Sequence, residues 1–573
     1  EDVVLEEVLF KMGLSFYQET SYRRAIDSWK RLLKEFPDSI RREEAVYRMG
    51  EAFLWSRNPK RAMTLFKELE ENADIYPRIL HSLGLYYFQK GEWGLAIHYF
   101  LELLDRYPYH ALSLGACLRL GEAFYNRRDY GKALSYLDET VQQEEAQDLD
   151  RAYFLQGRVY YIEGEFDLAI NRLSHLRTRF PESDWVEESQ YWIALSSYRV
   201  GMYEKAIGEF AQVVENPPSS KHASQALLRI GDCYYNRGSY SEATHTYLQV
   251  IREFPHSREA PEAEYGILLA FEGQGMHDSF VEKAKGFFAT YPTHPLGANI
   301  LSKLAQYYLG NNMVNNAIAS YKELLRTYPR SDLTDDAQFK LGGIYREQQD
   351  FKNAILEFGH VVKQYPGSNY LVDAYFEIAE SYFALGDYRR ALEGYRRVVR
   401  GFPENRLART AYLRAAECFE KLDRRDFAEK TLMELLESYP NDPIRFQGAL
   451  RLGLILSEDV RYAEAIKALR DAAESGDPEV ASLAQIKVGE VYRKMGDSTT
   501  AAVELMKVVY LYPGQVGLAD EALFQAGEIY VEQRKWADAR EVYSKVIETS
   551  RSESARQKAR TILIEIDRRT GNE

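Results

Sequence analysis

The sequence predicts an all-α solenoid built from repeated helix pairs, and three observations carry that prediction. An aromatic–proline pair recurs along the chain, a small residue stands 24 positions before the proline, and an alanine stands 12 positions before it. The pairs are Phe36-Pro37, Tyr107-Pro108, Phe180-Pro181, Phe254-Pro255, Tyr291-Pro292, Tyr328-Pro329, Tyr365-Pro366, Phe402-Pro403, Tyr439-Pro440 and Tyr512-Pro513. From Pro218 to Pro440 the prolines follow one another every 37 residues. A fixed period of that size is the signature of stacked repeats.

Each element of one unit has a physical reason. The small position (Gly13, Gly84, Gly157, Ala194, Gly231, Ala305, Gly342, Ala379, Ala416, Gly489) and the alanine (Ala25, Ala96, Ala169, Ala206, Ala243, Ala317, Ala354, Ala391, Ala428, Ala501) let two helices approach closely. Between them a glycine such as Gly91, Gly164, Gly201, Gly238, Gly386 or Gly496 takes the left-handed conformation that ends the first helix. In the Gly-Asp-Tyr turn, Asp387 is placed to cap the second helix. Proline then stops it. One such hairpin cannot bury its apolar faces alone, so neighbours stack. Fifteen units cover nearly the whole chain, and fourteen keep the alanine.

Four segments follow from this count. Residues 1–255 hold repeats 1–7, and residues 256–292 are repeat 8, which departs from the pattern. There Leu268 takes the small position, Phe280 replaces the alanine, and Gly273 beside Gly275 loosens the turn. Local repacking and a hinge are both open readings of this repeat. Residues 293–552 hold repeats 9–15. Residues 553–573 form a capping helix and tail, with Ala555, Ala559, Ile562 and Ile566 on one apolar stripe. The acidic stretch at 141–150 reads as a solvated loop or helix end, and Pro59 opens the second helix of repeat 2.

Composition excludes several functions. The 573 residues carry a net charge of −14, which argues against nucleic acid and against anionic membrane surfaces. The basic pairs Arg389-Arg390 and Arg396-Arg397 are interrupted by acids and apolar residues. The 43 tyrosines against 6 tryptophans point to a repeated structural position rather than to one rich pocket. Cys117, Cys233 and Cys418 lack zinc spacing and read as buried free thiols. No phosphate loop, zinc-protease motif, nucleophile elbow or dinucleotide fingerprint occurs. No catalytic residue, cofactor or metal is therefore expected. The longest uncharged run, 304–321, contains too many amides for a membrane span. The chain opens in helical period and reads as a trimmed start, which leaves room for a signal or lipid anchor ahead of Glu1.

The pattern small–x2–Tyr–x8–Ala–x3–aromatic–x7–Pro, seen in repeat 10 as Gly342, Tyr345, Ala354, Phe358 and Pro366, resembles the tetratricopeptide repeat with three residues added. The resemblance implies a right-handed superhelix whose first helices line a concave groove that takes protein or peptide segments. Four residues after the small position, the early repeats carry Tyr17, Leu54, Phe88, Tyr125, Tyr161, Tyr198 and Tyr235, and a later one carries Phe383. These rings either pack against the next repeat's first helix or line the groove for a partner. One residue after the small position comes a partial acidic set: Glu51, Glu122, Asp232, Glu380 and Glu417, with Glu490 and Glu528. In a groove these would favour a basic partner.

The 37-residue unit with Tyr/Phe-Pro-x-Ser at its junction is similar to repeats of bacterial cell-envelope proteins, namely outer-membrane assembly lipoproteins, cell-division coordinators and periplasmic scaffolds of polysaccharide secretion. That similarity implies a non-catalytic scaffold in the periplasm of a Gram-negative bacterium. A cytoplasmic adaptor for signalling or motility proteins, a glycan or small-ligand receptor using the ladder, and the non-catalytic arm of a larger enzyme are the competing readings.

Overall fold

The computed structural model describes residues 2–143, 148–215 and 222–571. Pro218 and the centre of the acidic 141–150 stretch lie outside the described residues. Among the described residues there are 31 helices and no strands, arranged as fifteen pairs followed by one further helix, Glu553–Thr570. Two compact units divide the chain. Glu1–Pro292 holds repeats 1–8, and Thr293–Glu573 holds repeats 9–15 and the last helix. In the last helix Ala559 and Ile566 are buried, and Ala555 and Ile562 pack against the same core.

The pairs close as the small residues require. A Cβ built on Gly50 would lie 2.3 Å from the Phe66 ring, and one on Gly231 would lie 2.5 Å from Tyr247. Gly13 meets Trp29, Gly84 meets Phe100 and Gly342 meets Phe358 in the same way. The second helix thus inserts a large side chain, sixteen residues on, into the space that the small residue leaves. The alanines of the second helices, Ala25 through Ala539, are fully buried in fourteen repeats.

All fifteen intrarepeat turns place one residue at positive φ. Seven are glycines, including Gly91, Gly386 and Gly496; the others run from Thr20 (φ 59°) to Val460 (64°) and Arg534 (56°). Each turn is closed by a backbone bond from the following residue to a carbonyl five residues earlier, as from Asp387 to Tyr382 (3.0 Å). Asp387 caps the second helix by accepting from the Arg390 N–H (3.1 Å), as expected. Pro59 is the first residue of the shortest second helix, Pro59–Lys67, behind the Asn58 cap.

Repeat 8 is a size exchange. Its helices are Ala260–Gly273 and His277–Thr290. Leu268 at the small position faces Ala284, which stands where other repeats place the large residue, and Phe280 fills the alanine position. All three are buried, so this repeat holds two large side chains where the others hold one, and the added volume goes with a wider spacing of its two helices. The two backbones approach less closely than in the other repeats. Gly273 does not loosen the turn. It is the last residue of the helix, and the Tyr240 ring occupies the place where its side chain would be, 2.6 Å from a Cβ.

Candidate partner-binding site

The aromatic ladder residues occupy the last turn of their first helices and are half-buried, whereas Leu54 in the same register is fully buried. Each ring meets the first residue of its own second helix, five positions on. Tyr17 packs on Tyr22 (centroids 5.6 Å), Phe88 on Trp93 (5.1 Å), Tyr125 on Tyr130 (6.0 Å) and Tyr161 on Phe166 (5.4 Å). Tyr198 packs on Tyr203 (6.0 Å), Tyr235 on Tyr240 (5.5 Å) and Phe383 on Tyr388 (5.3 Å). Most are edge-on or tilted, the geometry that the ring quadrupole favours. Several rungs also reach the next repeat: Tyr161 lies 4.9 Å from the Trp192 ring, Asn236 Nδ2 donates to the Tyr198 hydroxyl (3.1 Å), and Arg119 and Arg414 lie 5.7 and 5.0 Å from the Phe88 and Phe383 ring centroids. Burial raises the Tyr17, Tyr198 and Tyr235 phenols above their ordinary value, so all three are neutral donors at physiological pH.

The acidic set has partners inside the chain. Arg48 Nη1 donates to Glu51 (2.9 Å), which also accepts from Ser82 of the next repeat (2.7 Å). Glu122, only 2 % exposed, is paired with Arg119 (2.7 Å) of its own helix and with Arg151 of the next repeat. Asp232 accepts from Arg229 (2.6 Å) and from the Tyr247 hydroxyl (2.8 Å). Arg414 grips Glu380 through two nitrogens (2.9 and 2.8 Å) and reaches Glu417 (3.0 Å). Glu51, Glu122 and Glu380 join successive repeats, Asp232 ties the two helices of its own repeat, and all carry little uncommitted charge, so they do not by themselves argue for a basic partner.

Sequence reasoning missed Trp192. It stands two residues before the small position, where neighbouring repeats carry Arg119 or Arg229, and the Arg158 guanidinium sits 3.8 Å above its ring. That substitution was the available signal. Arg158, Tyr161 and Trp192 form one cluster on the first helices of repeats 5 and 6.

One neutral base has a pH consequence. His81, three residues before Gly84, lies edge-on to Phe100 (6.0 Å). Burial, followed by the Arg119 and His110 charges, pulls it from 6.5 down to about 4. The unfolded chain takes up a proton below pH 6.5 that the folded imidazole refuses. Stability contributed by His81 is therefore full above pH 6.5, falls as the pH drops, and is lost through pH 4. The shift corresponds to up to about 3 kcal/mol. His81→Phe, which copies the aromatic of other repeats, is expected to flatten this part of the profile. Urea midpoints of both proteins at pH 7 and pH 4.5 check it, and a parallel decline in the two would sink the assignment.

Comparisons with known proteins agree with this geometry. Tetratricopeptide repeat profiles match residues 7–39, 47–111, 118–173, 336–368, 382–452 and 521–550, together about half of the chain. A profile described as outer membrane lipoprotein matches residues 190–347. The outer membrane protein assembly factor BamD of Caulobacter vibrioides is 23% identical over 175 residues, which is 26% of this chain and 57% of that protein. The chain thus spans little more than half the length of this curated relative. A tetratricopeptide repeat protein from Parabacteroides merdae is 16% identical, with a TM-score of 0.31, over 47% of this chain and 98% of that one. The C-terminal part of a repeat protein from Cytophaga hutchinsonii is also 16% identical, with a TM-score of 0.37, over 45% and 98%. No described helix is long and apolar enough to cross a membrane. With fifteen consecutive helix pairs among the described residues, fourteen of them keeping the buried alanine, and repeat profiles over about half of its length, the chain belongs to the tetratricopeptide repeat family.

Proposed function

We propose that this protein is a non-catalytic scaffold that binds segments of partner proteins along the first helices of repeats 3–7, in an assembly or secretion complex of a bacterial cell envelope. The observation that carries the proposal is the ladder from Phe88 to Tyr235. Its rings are held by their own second helices yet remain part-exposed, so little side-chain freedom is lost when a partner covers them. Tyrosine suits such a surface because it offers a large ring and a polar tip. The lipoprotein profile and the assembly-factor relative support the envelope setting. The matched family profiles describe no enzyme, which supports a binding role.

The test is affinity capture from envelope and cytosol fractions with wild type beside a Tyr125→Ala/Tyr161→Ala/Tyr198→Ala/Tyr235→Ala variant whose helicity is checked by circular dichroism. A partner from the envelope fraction, held by wild type and lost by the folded variant, is the expected result. Capture of the same proteins by both would remove the ladder from the binding site.

A further inference from the structure

We infer that repeats 11 and 12 carry a second docking site, for an acidic protein segment with one apolar anchor residue. The site is formed by the second helices of repeats 11 and 12 with the first helix of repeat 12 between them. The second helix of repeat 11, Tyr388–Gly401, contains five arginines and one acid in a chain of net charge −14. Read linearly, the basic pairs are broken up. On the helix, Arg389, Arg396, Arg397 and Arg400 recur at intervals that place them on one exposed side. None of the four has a carboxylate partner among the described residues; only Arg390 pairs, with Asp387 (3.5 Å). This contrasts with the first-helix arginines, most of which are ion-paired.

Beside this stripe is a cavity of about 140 Å³, between Tyr388–Gly401, Arg406–Lys421 and Arg425–Ser438. Its floor is apolar: Phe419 and Phe427 stack at 5.4 Å with their planes 24° apart, and Val399 and Tyr412 complete it. Phe427 keeps 37 % of its surface exposed although Phe419 stacks on it and the Arg424 guanidinium lies 4.5 Å from its ring centroid. The rim is cationic, with Arg396, Arg400 and Lys430, and Arg396 lies over the Phe419 ring at 5.5 Å. The volume suits one side chain rather than a small-molecule ligand. An apolar residue enters, and flanking carboxylates meet the guanidinium groups in the planar pairing that arginine favours. Glu434 on the rim and Glu393 within the stripe interrupt the positive field. That interruption disfavours a uniform polyanion, whose charges follow one another without an apolar component.

The test uses the full chain and a short fluorescein-labelled peptide of glutamates around one phenylalanine, read by fluorescence anisotropy. Binding is expected, weakened about tenfold or more by Arg396→Glu/Arg400→Glu. A similar loss is expected with alanine replacing the peptide's phenylalanine, or with Phe427→Ala in the protein. Arg396 and Arg400 are exposed, so an unchanged melting curve is expected for the charge variant. The quadruple ladder variant should bind the peptide like wild type, which separates this site from the proposed first-helix surface. No binding by wild type, equal binding by the charge variant, or indifference to the peptide's phenylalanine would each overturn the proposal. Polyphosphate binding as tightly as the peptide, with the same loss in the charge variant, would reassign the site to a polyanion.

Discussion

Gly342→Leu is expected to destabilise repeat 10 by about 3 kcal/mol, the upper end of what overpacking costs. A Cβ at this position lies 2.7 Å from the Phe358 ring, and Phe358 is 1 % exposed, with nowhere to move. Phe358→Ala alone is expected to cost a similar amount, about 3–4 kcal/mol, by opening a cavity. Together the two changes recreate the Leu268–Ala284 exchange of repeat 8 at nearly constant volume, whereas Ala354→Phe would add a second large side chain at a fully buried position. The double variant should therefore lose far less than the sum of its parts, with a favourable coupling of about 2 kcal/mol or more. Repeat arrays do not unfold in one step, so the readout is local. Hydrogen exchange within Thr334–Glu347 and Phe351–Gln364 should be fast in each single variant and slow again in the double. Additive losses would mean that repeat 8 is tolerated rather than compensated.

The second large effect concerns Glu122. Removing both of its cations, with Arg119→Ala and Arg151→Ala, is expected to cost about 3–5 kcal/mol, because an almost fully buried carboxylate is left uncompensated. Adding Glu122→Leu is expected to recover most of that loss, since no charge then remains to desolvate. Glu122→Leu alone should be milder than the double arginine variant. Hydrogen exchange in Ala111–Asn126 and Leu149–Glu163 separates these outcomes. A variant pair in which Glu122→Leu restores nothing would show that the arginines act through their stems and not through charge.

Most of the fold was legible because each signal was local and repeated. Proline, turn glycine and small residue lie within one unit, at spacings that one helix pair fixes. What escaped reading was set by partners at other spacings. The ladder rings meet the residue five positions on, across the turn, which helical-face reasoning does not reach. The acids at Glu122 and Glu380 find arginines in the next repeat, and nothing in a single unit predicts that Arg151 or Arg414 leans back to them. Leu268 and Phe280 announced a broken repeat, but the compensating Ala284 sat at a core position where alanine carries no signal. The candidate ladder was found by position, whereas the Arg158–Trp192 contact needed two repeats in register. The arginine stripe of repeat 11 was visible but was judged by sequence adjacency instead of by helical side.

Within each compact unit, packing runs from nearly every helix to its successor and, between many of the first helices, to the following repeat. Every pairing thus joins segments close in the chain, so loop closure costs little entropy before contacts reward it. A ribosome delivering this polypeptide releases a complete hairpin every 37 residues or so, and each new pair can dock on those already formed. Folding in step with synthesis needs no distant strand to arrive, and the apolar face exposed at any moment is limited to the growing end. For an array of this length, that locality keeps aggregation during biosynthesis a problem of one repeat at a time.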